Sequence, residues 1–229
     1  VVDDIARLIR TVAESITGYE KIDCEFELIE KGEDFWIKNE MWKAPGLRKI
    51  HLETCYVKGL DVLHCVFFPD FEYNLPIFGC DVIASKYRKI TIVDVSPVRG
   101  TEWVYPNIAK ASNKYRFKEP QLRPEWGDIF SDYMKFQRLR TEKECIDFYL
   151  VLREYLEIYR DAIDKAEKTD WIDAMIALDD QIHYSKQQRK NQKTIATLSA
   201  WFDKEWAMSY INNILFCTPD ERDRRIVGD

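Results

Sequence analysis

Three ionisable side chains, Glu53, His64 and Asp81, fall inside one apolar stretch, HLETCYVKGLDVLHCVFFPDFEYNLPIFGCD, running from His51 to Asp81. A charge buried among strands survives only if it is paired, neutralised or used. A carboxylate beside an imidazole can hold a shared proton, and coupled titration brings a proton-donating form within reach of neutral pH. That is the equipment of a general acid for a neutral carbonyl or nitrogen. The same spacing also accommodates a core histidine satisfied by its neighbours, with Asp81 capping a turn after Gly79, because structural networks perturb pKa values too.

A second polar concentration is the run HYSKQQRKNQK from His183 to Lys193. At helical spacing, positions 183, 187, 190 and 191 lie near one face, which reads as solvated charge unless a ligand with two carboxylates is pinned there by Lys and Arg. Other chemistries lack their signatures. The sequence has no G-x-G-x-x-G, no G-x-x-x-x-G-K-[ST] and only eight glycines, so nothing announces a nicotinamide, flavin or nucleotide site. Its three histidines are not at ligand spacing to one another, so no metal site is expected. Ser-His-Asp hydrolysis has no nucleophile-elbow sequence behind it. Electrons for any redox step would come from outside.

The elements that must position these residues follow from pattern. The 229 residues contain no linker or repeat and read as one domain over 1–229. With 46% hydrophobic and 14% aromatic residues, they can bury a sizeable core and line a pocket for a flat conjugated ligand. A net charge of -6 excludes nucleic-acid binding as the main task. Six cysteines without a C-x-x-C pair favour reduced thiols in a cytosol-like compartment, and no apolar run reaches the length of a membrane span.

Residues 3 to 17 have helical spacing; alternation from Ile22 to Leu28, a turn at 31–34 and a return from Phe35 to Met41 predict a hairpin. Four more strands are predicted near Lys49–Val57, Leu60–Phe68, Ile77–Ala84 and Arg88–Val95. His51, Glu53 and Cys55 then share one face of their strand, and His64 shares a face with Val62 and Val66. After Pro97 a polar loop leads to a short helix at Pro124 that carries Ile129, Phe130, Tyr133 and Met134 inward. A capping box, Thr141-x-x-Glu144, opens a long helix; another is predicted from about Thr169 to Leu198, and a last from Phe202 to Phe216. Strands first and helices later imply an α+β fold.

The segments RKIHLE, LDVLHCVFFP, LPIFGCD, VSP, EWGDIFSDY and QIHYxKQQxKNxK together resemble the ferredoxin-dependent bilin reductases, over about Ala44 to Phe216. The resemblance implies a three-layer α/β/α sandwich with a central antiparallel sheet and biliverdin IXα folded between sheet and C-terminal helices. It implies no cofactor bound in the protein: reduced ferredoxin supplies single electrons as an external donor, and side chains supply protons to bilin radicals in two sequential two-electron steps. It also implies a monomer in the cytoplasm or plastid stroma.

By motif, Asp81 matches the family's essential carboxylate near the pyrrole nitrogens, and His64 the histidine that bonds an outer-ring carbonyl and shares a proton. Glu53 matches the glutamate that assists D-ring vinyl reduction in the phycocyanobilin-forming members. Asn191 and Lys193 match polar residues of the C-terminal helix near the substrate, and Arg123 is a candidate for holding a propionate. Between Asn191 and Lys193 the family usually has an aspartate important for the A-ring step, where this chain has Gln192. An amide cannot donate a carboxyl proton, so either Asp81 and His64 serve both reductions or the step order and product differ. Glu53 points to phycocyanobilin, and Gln192 leaves phycoerythrobilin open. A non-catalytic bilin carrier is the alternative, although it would need no proton donor; a helix-rich interaction domain without a ligand is a third.

Overall fold

A computed structural model describes residues 1–219. A first helix, α1 (Val2–Ser15), precedes strands β1 (Glu20–Ile22), β2 (Leu28–Glu30), β3 (Phe35–Ala44), β4 (Leu47–Val57), β5 (Leu60–Pro69), β6 (Ile77–Ser85) and β7 (Lys89–Ser96). Helix α2 (Tyr105–Lys114) and strand β8 (Lys135–Leu139) follow, then helices α3 (Glu142–Lys165), α4 (Trp171–Gln188), α5 (Gln192–Trp201) and α6 (Lys204–Tyr210). The sheet is antiparallel throughout, in the order β1-β3-β4-β5-β6-β7-β8, with β2 also paired to β3.

Local chemistry sets these pairings. Lys58 and Gly59, both at positive φ, make the two-residue turn between β4 and β5, a backbone geometry that matches the twist of the strands it joins. Between β6 and β7 the Ser85 hydroxyl accepts from the backbone N–H of Tyr87 and Arg88 and closes the hairpin. The predicted capping box is present at α3, where Thr141 and Glu144 satisfy each other's backbone N–H groups.

Alternation divides the sheet residues between two helical layers. Leu52, Leu63, Cys65, Phe67, Phe78 and Val93 pack against α1, α2 and α3. Ile37, Met41, Cys55, Val66, Phe68 and Ile77 face α4, α5 and α6. This is the expected α/β/α sandwich. No described helix is long and apolar enough to cross a membrane.

Several element boundaries differ from the sequence expectation for identifiable reasons. The strand expected over Ile22–Leu28 is broken, since the Asn39 amide donates to the Phe26 carbonyl and draws residues 23–27 into a turn. The region after Pro97 contains α2, and the expected helix at Pro124 is a single 3-10 turn, Gly127–Ile129, ahead of β8. There the buried Asp94 carboxylate accepts from both the backbone N–H and the hydroxyl of Ser131, and from Ser96. That clamp straightens the chain and accounts for the serines of VSP and EWGDIFSDY. The long C-terminal helix is split at 189–191, where Arg189 donates to the Phe216 and Asn212 carbonyls and Asn191 caps α5.

Candidate active site

Register places the opening trio in one line. Asn39 pairs with Glu53, Glu53 with His64, His64 with Asp81 and Asp81 with Ile92, so five strands contribute one residue each to a row on the α4–α6 face. The adjacent row runs Met41, His51, Val66, Gly79 and Asp94. Asp81 is therefore mid-strand and caps no turn. Its Oδ1 lies 2.6 Å from His64 Nδ1, a short contact of the kind formed when one partner is charged.

The row grades from buried to open. Glu53 is buried, the His64 side chain is 11% exposed and that of Asp81 47%. Burial pushes the His64 imidazole down, but the charge and hydrogen bond of Asp81, helped by Glu53, outweigh it and leave the pKa raised. Burial raises the Glu53 carboxyl, against the pull of His64 and Tyr210. His51 is driven well below its ordinary value by burial and by the nearby cations Lys49 and His64. His64 Nε2 and His51 Nδ1 are buried without a hydrogen-bond partner among the described residues. Towards the open end of the row the sheet face is less covered: Ile92, its last member, and neighbouring Val62 are half-buried and Ile83 is 41% exposed.

A narrow cleft of about 10 Å³ opens beside the row, lined by His64, Asp81, Gly79, Asp94, Tyr184 and Gln188 among others. A Cβ at position 79 would come within 3.2 Å of the Tyr184 hydroxyl, so glycine in FGCD lets that phenol lie against the sheet. Gln188 donates to the same hydroxyl at 3.0 Å. From the other side Phe216 packs edge-on against the His64 ring, with centroids 5.3 Å apart. The arrangement can bind a planar ligand against apolar strands and offer protons from three aligned side chains.

A model of the ferredoxin-dependent bilin reductase family matches residues 8–217. The chain belongs to that family. It is 35% identical to the phycocyanobilin:ferredoxin oxidoreductase of Prochlorococcus marinus (strain MIT 9515), over 91% of this chain and 93% of that protein. To the phycocyanobilin:ferredoxin oxidoreductase of Synechococcus sp. (strain CC9902) it is 38% identical, over 82% of this chain and 78% of that one. Its fold matches tomato phytochromobilin synthase in complex with biliverdin, with a TM-score of 0.78 at 16% identity, over 92% of this chain and 82% of that one.

The remaining expected positions of this bilin reductase lie apart from the row. Asn191 caps α5 by accepting from the Lys193 backbone N–H; Gln192 and Lys193 are exposed in its first turn. Gln192 Nε2 donates to the Lys190 carbonyl at 3.4 Å, and no hydrogen bond among the described residues links these three to Glu53, His64 or Asp81. Arg123 donates to the Ser131 carbonyl and lies 3.8 Å from Asp132, fastening the loop before β8. Sequence reasoning missed Asn39 and Tyr210 as partners of Glu53. Asn39 was visible as a polar residue in an apolar strand; Tyr210 had no local signal.

Proposed function

We propose that this bilin reductase converts biliverdin IXα to phycocyanobilin with electrons from reduced ferredoxin. The observation that carries the reading is the row Glu53–His64–Asp81, three proton-bearing groups aligned beside a partly uncovered apolar strip of sheet. Each of two sequential steps adds two electrons, one at a time, and two protons. Asp81 and the His64 imidazole, with its unpartnered Nε2, serve the pyrrole nitrogens and an outer-ring carbonyl, and Glu53 serves the D-ring vinyl carbon. The names of the curated relatives support phycocyanobilin over phycoerythrobilin. Asn191, Gln192, Lys193 and Arg123 contribute to substrate binding at the rim, and the enzyme works as a monomer wherever ferredoxin is available, in the cytoplasm or plastid stroma.

At about 10 Å³ the cleft is far smaller than the roughly 300–1,000 Å³ usual for small-molecule sites, so a tetrapyrrole enters by displacing Phe216 and its neighbours from the His64 ring. The test is anaerobic incubation of the protein with biliverdin and reduced ferredoxin, followed by chromatography of the product. Phycocyanobilin is expected. Bound biliverdin whose absorption spectrum never changes would overturn the enzyme in favour of a carrier, and phycoerythrobilin would overturn the product.

A further inference from the structure

Asn39 on β3, His51 and Glu53 on β4, and Tyr210 on α6 are all buried and joined by hydrogen bonds. Counting protons along this chain decides its ionisation. Asn39 Nδ2 donates to the Phe26 carbonyl at 2.7 Å, which orients the amide and turns Oδ1, a pure acceptor, towards the other two partners. His51 Nε2 lies 2.8 Å from that oxygen and must carry its proton. The Tyr210 hydroxyl lies 2.8 Å from the same oxygen and must donate to it as well, filling its second lone pair. A phenol has one proton. Yet the Tyr210 oxygen is also 2.6 Å from Glu53 Oε2, so the proton in that shorter contact has to come from the carboxyl.

We propose that Asn39 and Tyr210 are positioning residues that hold Glu53 as a neutral acid, its proton on Oε2 and directed at the phenol. The inference rests on the reading of Glu53 as a proton donor to the bilin. Burial supports it by pushing the Glu53 carboxyl up. The ionisable groups facing Glu53 are His64 on β5, Asp81 on β6 and Tyr210 on α6; His64 favours the carboxylate, as a hydrogen bond donated by Tyr210 would, and Asp81 opposes it. During transfer the Glu53 O–H bond breaks and a C–H bond forms on the one-electron-reduced bilin. The electron comes from reduced ferredoxin, and the O–H electron pair stays on Glu53 as carboxylate. The Tyr210 hydroxyl then rotates from Asn39 to Glu53, so a charge-assisted hydrogen bond meets the new anion. Reprotonation from solvent restores the starting arrangement.

The experiment uses bilin-free protein, which separates it from any failure of turnover. The infrared difference spectrum of wild type minus Glu53→Gln at pH 7 is expected to contain the C=O stretch of a protonated carboxyl. Loss of carboxylate stretches alone overturns the inference, even if biliverdin is still reduced. In Tyr210→Phe that C=O band should shift upward as its O–H loses its partner; an unmoved band refutes Tyr210 as the acceptor. In Asn39→Leu the phenol is free to donate to Glu53, so the carboxyl should titrate at lower pH than in wild type. A midpoint that stays or rises excludes Asn39 as the director of the Tyr210 proton.

Discussion

Replacing Asp81 with Asn keeps the shape of the row and removes the charge that lifts His64. In the wild type that charge, with its 2.6 Å hydrogen bond, outweighs the burial that would otherwise depress the imidazole. In Asp81→Asn burial dominates, and the His64 pKa falls below its wild-type value. A hydrogen bond to a charged group contributes about 1.5–3 kcal/mol. Because the Asp81 side chain is 47% exposed, solvent screening reduces the expected loss to about 1–2 kcal/mol. The sign follows from linkage. A histidine whose folded pKa is raised stabilises the protein fully below its unfolded pKa of about 6.5, and that stability disappears as pH climbs through the folded value. The stability gap between wild type and Asp81→Asn should therefore be widest below about pH 6.5 and close at alkaline pH. Urea denaturation of the bilin-free proteins across that range measures the gap. Proton NMR gives the titration directly, since the chain has only three histidines to assign. In turnover, losing the proposed general acid should slow reduction by about 10²–10⁴-fold and leave an early bilin radical accumulated, with biliverdin still bound. A His64 that titrates as high as in wild type, or a stability gap independent of pH, would refute the account of the pair; unimpaired turnover would mean that the proton comes from elsewhere.

Gly79→Val should drive the Tyr184 phenol off the sheet, because even a Cβ there would sit 3.2 Å from its hydroxyl. Overpacking of this kind costs about 1–3 kcal/mol, so biliverdin titration should show affinity weakened about tenfold, and unchanged affinity would remove Tyr184 from the pocket wall. Ferredoxins are acidic, and the β6–β7 turn presents Lys86, Arg88 and Lys89 about four residues, or roughly 13 Å, along the strand from Asp81. Reversing those three charges should raise the KM for ferredoxin at low salt and have little effect at high salt; a salt-independent result would place docking elsewhere. Arg189 is committed to the Phe216 and Asn212 carbonyls, so its replacement should lower stability rather than only slow docking.

The strands that carry the row were legible because their alternation is strict and their turns have strong local chemistry, as at Lys58-Gly59. Pairing His64 with Asp81 followed once the hairpins were in register. What escaped notice was decided at long range. Nothing between Ser185 and Asn191 is a glycine or proline, and the break after α4 arises from Arg189 reaching the carbonyls of Asn212 and Phe216. Strand β8 has no β-branched residue and is held extended by the grip of Asp94 on Ser131 just ahead of it. Tyr210 lies 157 residues from Glu53, and no local pattern in α6 marks it as that carboxyl's partner. The motif positions 191–193 sit at a helix start, where their geometry serves the backbone first.

The row of cross-strand partners is open at one end. Past Asp81 the next position on the same face is Ile92, followed by Phe136 on the outermost strand. A carboxyl, imidazole or phenol introduced at Ile92 would add another proton-bearing station to the row without altering backbone, turn or layer. On the proposed reading of the row, which bond of a tetrapyrrole is reduced becomes a matter of which row positions are occupied, and a sheet with fixed register would let regiochemistry be changed one side chain at a time.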